Sequence, residues 1–232
     1  MKKFKRLFVS ISFLAAFAVW TALVFLYDVR AIGPNGSRVG FATLNGCFHK
    51  FTGVNMWLYT ITDWLSLIPV FIMTGFAVLG LLQWIKGKNI LKVDFSILAL
   101  GVFYIITLAA YLLFEEVVIN YRPTLINGIL EASYPSSTTL LVLCVMITAL
   151  IQFNLRIRNS VFRALVATLI IAFIIFMVGG RIVSGVHWIT DIIGGILLSF
   201  GLIYMYWFIC GLTNNAKEKS LVKTRGLKFA KI

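Results

Sequence analysis

Apolar residues run along this chain in six long blocks, and the polar residues fall mostly between the blocks rather than inside them. The blocks cover about 7–26, 58–84, 95–114, 138–153, 164–179 and 189–209, with boundaries defined to within a few residues. Neither the alternation of a half-buried strand nor the one-sided stripe of a soluble amphipathic helix accounts for blocks this long. Helices of this length match the roughly 20 residues needed to cross a hydrocarbon layer about 30 Å thick. The pattern therefore predicts an all-α polytopic membrane protein with six transmembrane helices. It forms one membrane-embedded domain over 1–232, without internal repeats or a separate soluble module. The second block is long and contains Asp63 and Pro69, so its first residues are expected at the interface or in a kinked extension.

Composition agrees with this reading. Sixty per cent of the residues are hydrophobic, only 12% are charged, and the mean hydropathy is +0.97. The formal charge of +13 raises nucleic acid as a partner. A nucleic-acid binder, however, gathers its basic residues on one folded face, whereas here they sit in the gaps between apolar blocks. Sixteen of the 21 lysines and arginines lie at the N-terminus, in the gaps after the second and fourth blocks, and in the tail from 214 to 232. The other five are Arg30, Arg38, Lys50, Arg122 and Arg181. The positive-inside rule then places both termini in the cytoplasm, and the basic tail reads as a topology anchor on anionic headgroups. The expected location is a multi-pass cell membrane protein, and the compact form suits a bacterium. The basic N-terminus followed by an apolar block resembles a secretion signal, but the block is long and no small-residue cleavage site follows, so it is expected to remain as the first span. Of the three cysteines, Cys144 and Cys210 lie inside apolar blocks. They form neither a disulfide framework nor a metal-ligand pattern.

Candidate chemistry concentrates in two outward segments. One reads Tyr121-Arg122-Pro123, then Ser133-Tyr134-Pro135-Ser136-Ser137-Thr138-Thr139. The other runs from Gly179 through Arg181 and His187 to Asp191. If that second stretch is helical, His187 and Asp191 share a face, and the carboxylate holds one imidazole nitrogen while the other is free to attack phosphorus. Arg122 and Arg181 supply planar donors suited to phosphoryl oxygens. The hydroxyl run Ser136, Ser137 and Thr138 is expected to cap the fourth span, and a helix N-terminus of this kind also binds phosphate.

These residues resemble the motifs of the type 2 phosphatidic acid phosphatase (PAP2) superfamily, K-x6-R-P, P-S-G-H and S-R-x5-H-x3-D, over 115–191. The resemblance implies a PAP2-like helical bundle acting on a phosphorylated lipid. His187 would be a nucleophile forming a phosphohistidine and Asp191 its orienting partner. Arg181 would be a phosphate ligand, joining Arg122 and the capping hydroxyls of Ser136, Ser137 and Thr138 that residue chemistry already marks as phosphate-binding candidates. It implies no metal or other cofactor and no nucleic acid, and it leaves the oligomeric state open. The chain departs from the motifs at four places. Glu115 occupies the first-motif lysine position, Gly180 the leading serine of the third motif, and Ser137 and Thr138 the glycine and the general-acid histidine of the second. His49 and Lys50, in the first outward loop, are candidates to fold over the site and replace the missing acid and cation. Without a strong acid, a lipid diphosphate such as an isoprenoid diphosphate is favoured over a phosphatidate-like monoester, because phosphate leaves with less need of a proton than an alcohol does. Two other classes stay open. One is a non-catalytic PAP2-like protein that binds phosphorylated headgroups. The other is a transporter, for which Asp63 is the one intramembrane candidate.

Overall fold

The computed structural model describes residues 2–229, with side chains from 4 to 212. The basic tail, expected to rest on headgroups, lies outside the described side chains. Eight α-helices follow one another: α1 (Lys2–Leu26), α2 (Ala42–Thr52), α3 (Met56–Leu65), α4 (Leu67–Gly87), α5 (Phe95–Glu116), α6 (Ser137–Arg156), α7 (Ser160–Ser184) and α8 (Ile189–Phe229). Six stretches are long and apolar enough to cross a membrane: Phe4–Leu26, Met56–Gly87, Phe95–Glu116, Ser137–Arg156, Ser160–Ser184 and Ile189–Leu212.

The second block is divided at Ser66, whose backbone N–H reaches back to the carbonyls of Thr62 and Asp63. Pro69, at the third position of α4, has no N–H to offer the carbonyl of Leu65, so a continuous ladder would be broken here in any case. The expected kinked extension is thus a separate helix, α3. It packs on α7, while α4 runs beside α5 and α6.

The helices differ in how much of their surface is covered. Within the most apolar window, 61% of α6 and 44% of α8 is buried, against 11% for α1, α7 and the α3–α4 span. Helices α6 and α8 therefore form the centre, and the others turn apolar side chains such as Phe8, Phe71, Ile105 and Ile175 outward toward lipid. Leu100, Leu140, Cys144, Val145, Ala149, Leu198 and Tyr206 interlock between α5, α6 and α8. Several polar side chains inside the bundle are paired, as a medium without water favours. Ser10 donates to the carbonyl of Gly201 at 2.7 Å, joining α1 to α8. Tyr104 and Thr148 hydroxyls meet at 3.2 Å, and Gln152 is held by Tyr206 and Arg156.

All the connections that the charge pattern places outside gather at one end: the C-termini of α1, α5 and α7 and the N-termini of α3, α6 and α8. One of them contains the helix α2, which block length alone did not reveal. Asn45 pins α2 to the start of α8 by donating to Thr190 Oγ1 at 2.9 Å and to the Gly40 carbonyl at 2.7 Å.

Candidate active site

The α5–α6 connection folds back on itself. Asn127 and Gly128 both have positive φ, 51° and 80°, and the backbones of Ile126 and Ile129 exchange two hydrogen bonds across them. Asn-Gly is the pair that a two-residue hairpin turn of this hand favours. The pairing beyond it is offset by two residues from the register of that turn and brings Arg122 opposite Glu131, with the Arg122 N–H donating to the Glu131 carbonyl at 3.0 Å and the Ser133 N–H to the Asn120 carbonyl at 2.9 Å. Arg122 and Ser133, eleven positions apart in sequence, thereby face the same imidazole.

His187 is buried, in the turn between α7 and α8. Gly185 makes that turn possible. Its φ is +64°, and a Cβ there would stand 1.7 Å from the Gly53 carbonyl oxygen, so no other residue fits. The imidazole Nδ1 lies 3.2 Å from the Ser133 carbonyl oxygen and Nε2 lies 3.0 Å from Arg122 Nη1. A carbonyl only accepts and a guanidinium only donates, so the proton sits on Nδ1 and the lone pair on Nε2. Burial holds the His187 pKa well below the usual histidine value, and the charges of Arg122 and Arg181 push it further in the same direction. At neutral pH the ring is uncharged and carries a nucleophilic nitrogen.

Asp191 sits differently from the expectation. Residues 185–188 are not helical, and Asp191 belongs to the first turn of α8. Its Oδ2 accepts the Trp188 N–H at 2.9 Å and its Oδ1 faces Asn120 Nδ2 at 3.4 Å. This is the carboxylate half of a capping box, three residues past the cap. The carboxylate stands 3.7 Å from His187 Nδ1, outside hydrogen-bond reach. The Ser133 carbonyl holds the ring instead.

Arg122 and Arg181 converge on the ring of Tyr59, with guanidinium carbons 6.0 Å and 4.9 Å from its centroid. Arg122 is paired with Glu131, Nε to Oε2 at 2.9 Å, close in distance but poorly aligned as a hydrogen bond. Arg181 is in the last turn of α7 rather than in a loop, and only 1% of its side chain is exposed. One of its nitrogens, Nη2, bonds Asp63 Oδ1 at 3.0 Å, while Nε and Nη1 are buried without a hydrogen-bond partner. Two unmet donors on a buried guanidinium are costly unless something fills them.

The hydroxyl run divides. Ser136 is fully buried as the α6 cap, accepting from the Thr139 hydroxyl at 3.0 Å, and its backbone N–H bonds the Asp191 carbonyl at 3.0 Å. Its hydroxyl is committed to the helix start. Ser137 and Thr138 instead line a cavity of about 210 Å³ together with Asp63, Ser66, Thr107 and Tyr111. Glu115 is exposed at the end of α5 and borders a separate small crevice. His49 meets Trp188 edge-on, ring centroids 5.4 Å apart, and burial lowers its pKa. Lys50 is exposed and forms no ion pair among the described residues. Neither forms a hydrogen bond or ion pair with His187 or the two arginines among the described residues. The residues that sequence reasoning missed are Tyr59, Asn120, Glu131 and Ser133. Ser133 holds the imidazole through its backbone carbonyl, which no side-chain pattern reveals.

The chain is a six-span membrane bundle that brings a buried histidine and two converging arginines together at one end. The chain belongs to the PAP2 superfamily, whose family model matches residues 70–212. Its fold is similar to that of a transmembrane PAP2 type phosphatidylglycerolphosphate phosphatase from Bacillus subtilis. The two superpose with a TM-score of 0.59 at 17% identity, covering 90% of this chain and 97% of the other. No curated protein matches the sequence significantly.

Proposed function

We propose that this protein is a membrane-bound phosphatase of lipid phosphates or diphosphates, acting at the extracytoplasmic face through a phosphohistidine on His187. The observation that carries the reading is the pair of partnerless buried donors on Arg181 beside a neutral imidazole. A phosphoryl group satisfies both donors at once and meets planar, charge-bearing N–H groups suited to its oxygens. In this structure Arg122 donates to the His187 lone pair. When phosphate arrives, the same donor turns to a phosphoryl oxygen and releases Nε2 for attack. The Ser133 carbonyl and the Asp191 carboxylate then stabilise the positive ring that forms on phosphorylation. Ser137 and Thr138 at the N-terminus of α6 add hydroxyl donors on the cavity side, and Ser136 contributes as their cap.

A lipid substrate is supported by a groove of about 630 Å³ between α4 and α5, walled by residues such as Phe76, Leu81, Val102 and Ile105. Leu108 lines both this groove and the polar cavity that holds Asp63 and Thr138. An acyl or prenyl chain in the groove would thus lead its headgroup to the arginines. The extracytoplasmic side is supported by the scarcity of basic residues at the site's end of the bundle.

A second reading, a PAP2-like protein that binds phosphorylated headgroups without turning them over, draws on the Arg122 bond to Nε2 and on the threonine at position 138. Purified protein in vesicles separates the two. The phosphatase reading predicts phosphate release from an isoprenoid diphosphate and, more slowly, from a phosphatidate. Binding of both lipids without release from either would favour the second reading.

A further inference from the structure

Helix α3 turns Tyr59, Thr62 and Asp63 toward α7, at the spacing that places side chains on one helical face. Its approach is unusually close because Gly180 has no side chain. A Cβ at that position would lie 2.7 Å from Thr62 Cγ2 and 3.6 Å from Leu58 Cδ1. The serine that the third motif carries there would therefore push α3 outward. With glycine, α3 seats fully, Thr62 is completely buried, and the next residue reaches Arg181 at 3.0 Å.

The two partners in that contact are unlike. The Arg181 side chain is 1% exposed and that of Asp63 is 57% exposed. Asp63 covers the open side of the guanidinium and looks into the cavity that Thr138 also lines, where it is the one carboxyl group among the lining residues. An alkoxide expelled from phosphorus needs a proton, and a threonine hydroxyl is too weak an acid to provide it. From this placement, and resting on the phosphatase reading above, we infer that Asp63 is the proton donor to the leaving oxygen. The neighbouring Gly180 is what allows it to reach that position.

The steps balance as follows. In the resting site the Asp63 carboxylate is paired with Arg181. A phosphate monoester bound as its monoanion on the free Nε and Nη1 of the same arginine carries a proton, which passes to the Asp63 carboxylate beside it. His187 Nε2 then bonds phosphorus as the bond from phosphorus to the leaving oxygen breaks. The Asp63 proton passes to that oxygen, leaving a neutral alcohol and an Asp63 carboxylate. In the second half, water attacks the phosphohistidine and gives its proton to Asp63. The phosphorus–nitrogen bond breaks, its electron pair returns to Nε2, and phosphate departs. With its own acid, the site accepts monoesters with alcohol leaving groups as well as diphosphates.

The test compares wild type, Asp63→Asn and Asp63→Glu on two substrates, phosphatidate and p-nitrophenyl phosphate, whose phenolate leaves without help. Asp63→Asn keeps an oxygen for Arg181 but has no proton to give. Its kcat on phosphatidate is expected to fall by about 100-fold or more, and on p-nitrophenyl phosphate by less than about 10-fold. Asp63→Glu should recover part of the phosphatidate rate. Turnover of the aryl phosphate by Asp63→Asn shows at the same time that the variant is folded. Equal losses on both substrates, a rise in KM with kcat unchanged, or a leaving-group-dependent loss in His49→Gln instead would overturn the assignment while leaving the phosphatase reading intact. A wild-type protein inactive on both substrates but active on an isoprenoid diphosphate would overturn this assignment alone, and one inactive on all three would overturn the phosphatase reading with it.

Discussion

Replacing His187 with alanine is expected to abolish phosphate release from any lipid substrate, by about a thousandfold or more, while headgroup binding persists on Arg122 and Arg181. A nucleophile cannot be replaced by its neighbours, because none of them offers a lone pair at the position of Nε2. The pH profile of the wild type carries a second signature of the same residue. Burial and the two guanidinium charges hold the His187 pKa well below the usual value, so the neutral ring persists as the pH falls through about 6.5. The acid limb of kcat/KM should therefore lie below the ordinary histidine range. For stability the sign is the opposite of that for a salt-bridged histidine. Below about pH 6.5 the unfolded chain takes up a proton that the folded chain refuses, so stability falls as pH is lowered through that window. His187→Gln should lose this dependence. Turnover by His187→Ala within about tenfold of wild type would remove His187 from the chemistry.

The second large effect is expected at Arg181. Arg181→Lys keeps a positive charge for Asp63 but removes the fork that meets two phosphoryl oxygens together. The loss in kcat/KM should reach about 10²–10³-fold, the scale for removing one preorganised donor from a developing charge. Titration with inorganic phosphate or its analogue vanadate should weaken in parallel. A fall of less than about fivefold would mean that the unmet Nε and Nη1 of this buried arginine do not serve the phosphate.

The bundle was legible in the sequence because a membrane leaves the chain few options. Once each apolar block must satisfy its own backbone, block length fixes the helices, and all six blocks from 7–26 to 189–209 correspond to helices long enough to span. The blocks said nothing about α2, which is short and lies on the bundle's end, where neither length nor hydropathy marks it. The PAP2 resemblance read from 115–191 holds at the level of the family and the fold.

The candidate site was legible as a set of residue types but less so as an arrangement. Arg122, Arg181 and His187 do come together. The four-residue spacing of His187 and Asp191 implied a shared helical face, yet Gly185 and the capping contact at Trp188 start the helix two residues after the histidine. Spacing cannot show that a backbone carbonyl such as that of Ser133 does the holding, since the carbonyl has no letter of its own. Asp63 was visible as an ionisable residue in an apolar block. Its partner Arg181, 118 positions away, is a matter of how α3 packs on α7, and the signal for that packing was the absence of a side chain at Gly180.

The most direct test of a histidine nucleophile is to quench the reaction with a radiolabelled lipid phosphate within a single turnover and to map any label on the protein. The account predicts a phosphoenzyme stable to alkali and lost in acid, carried on His187 and absent from His187→Ala. Steady release of phosphate with no such intermediate, or label on any other residue, would contradict it.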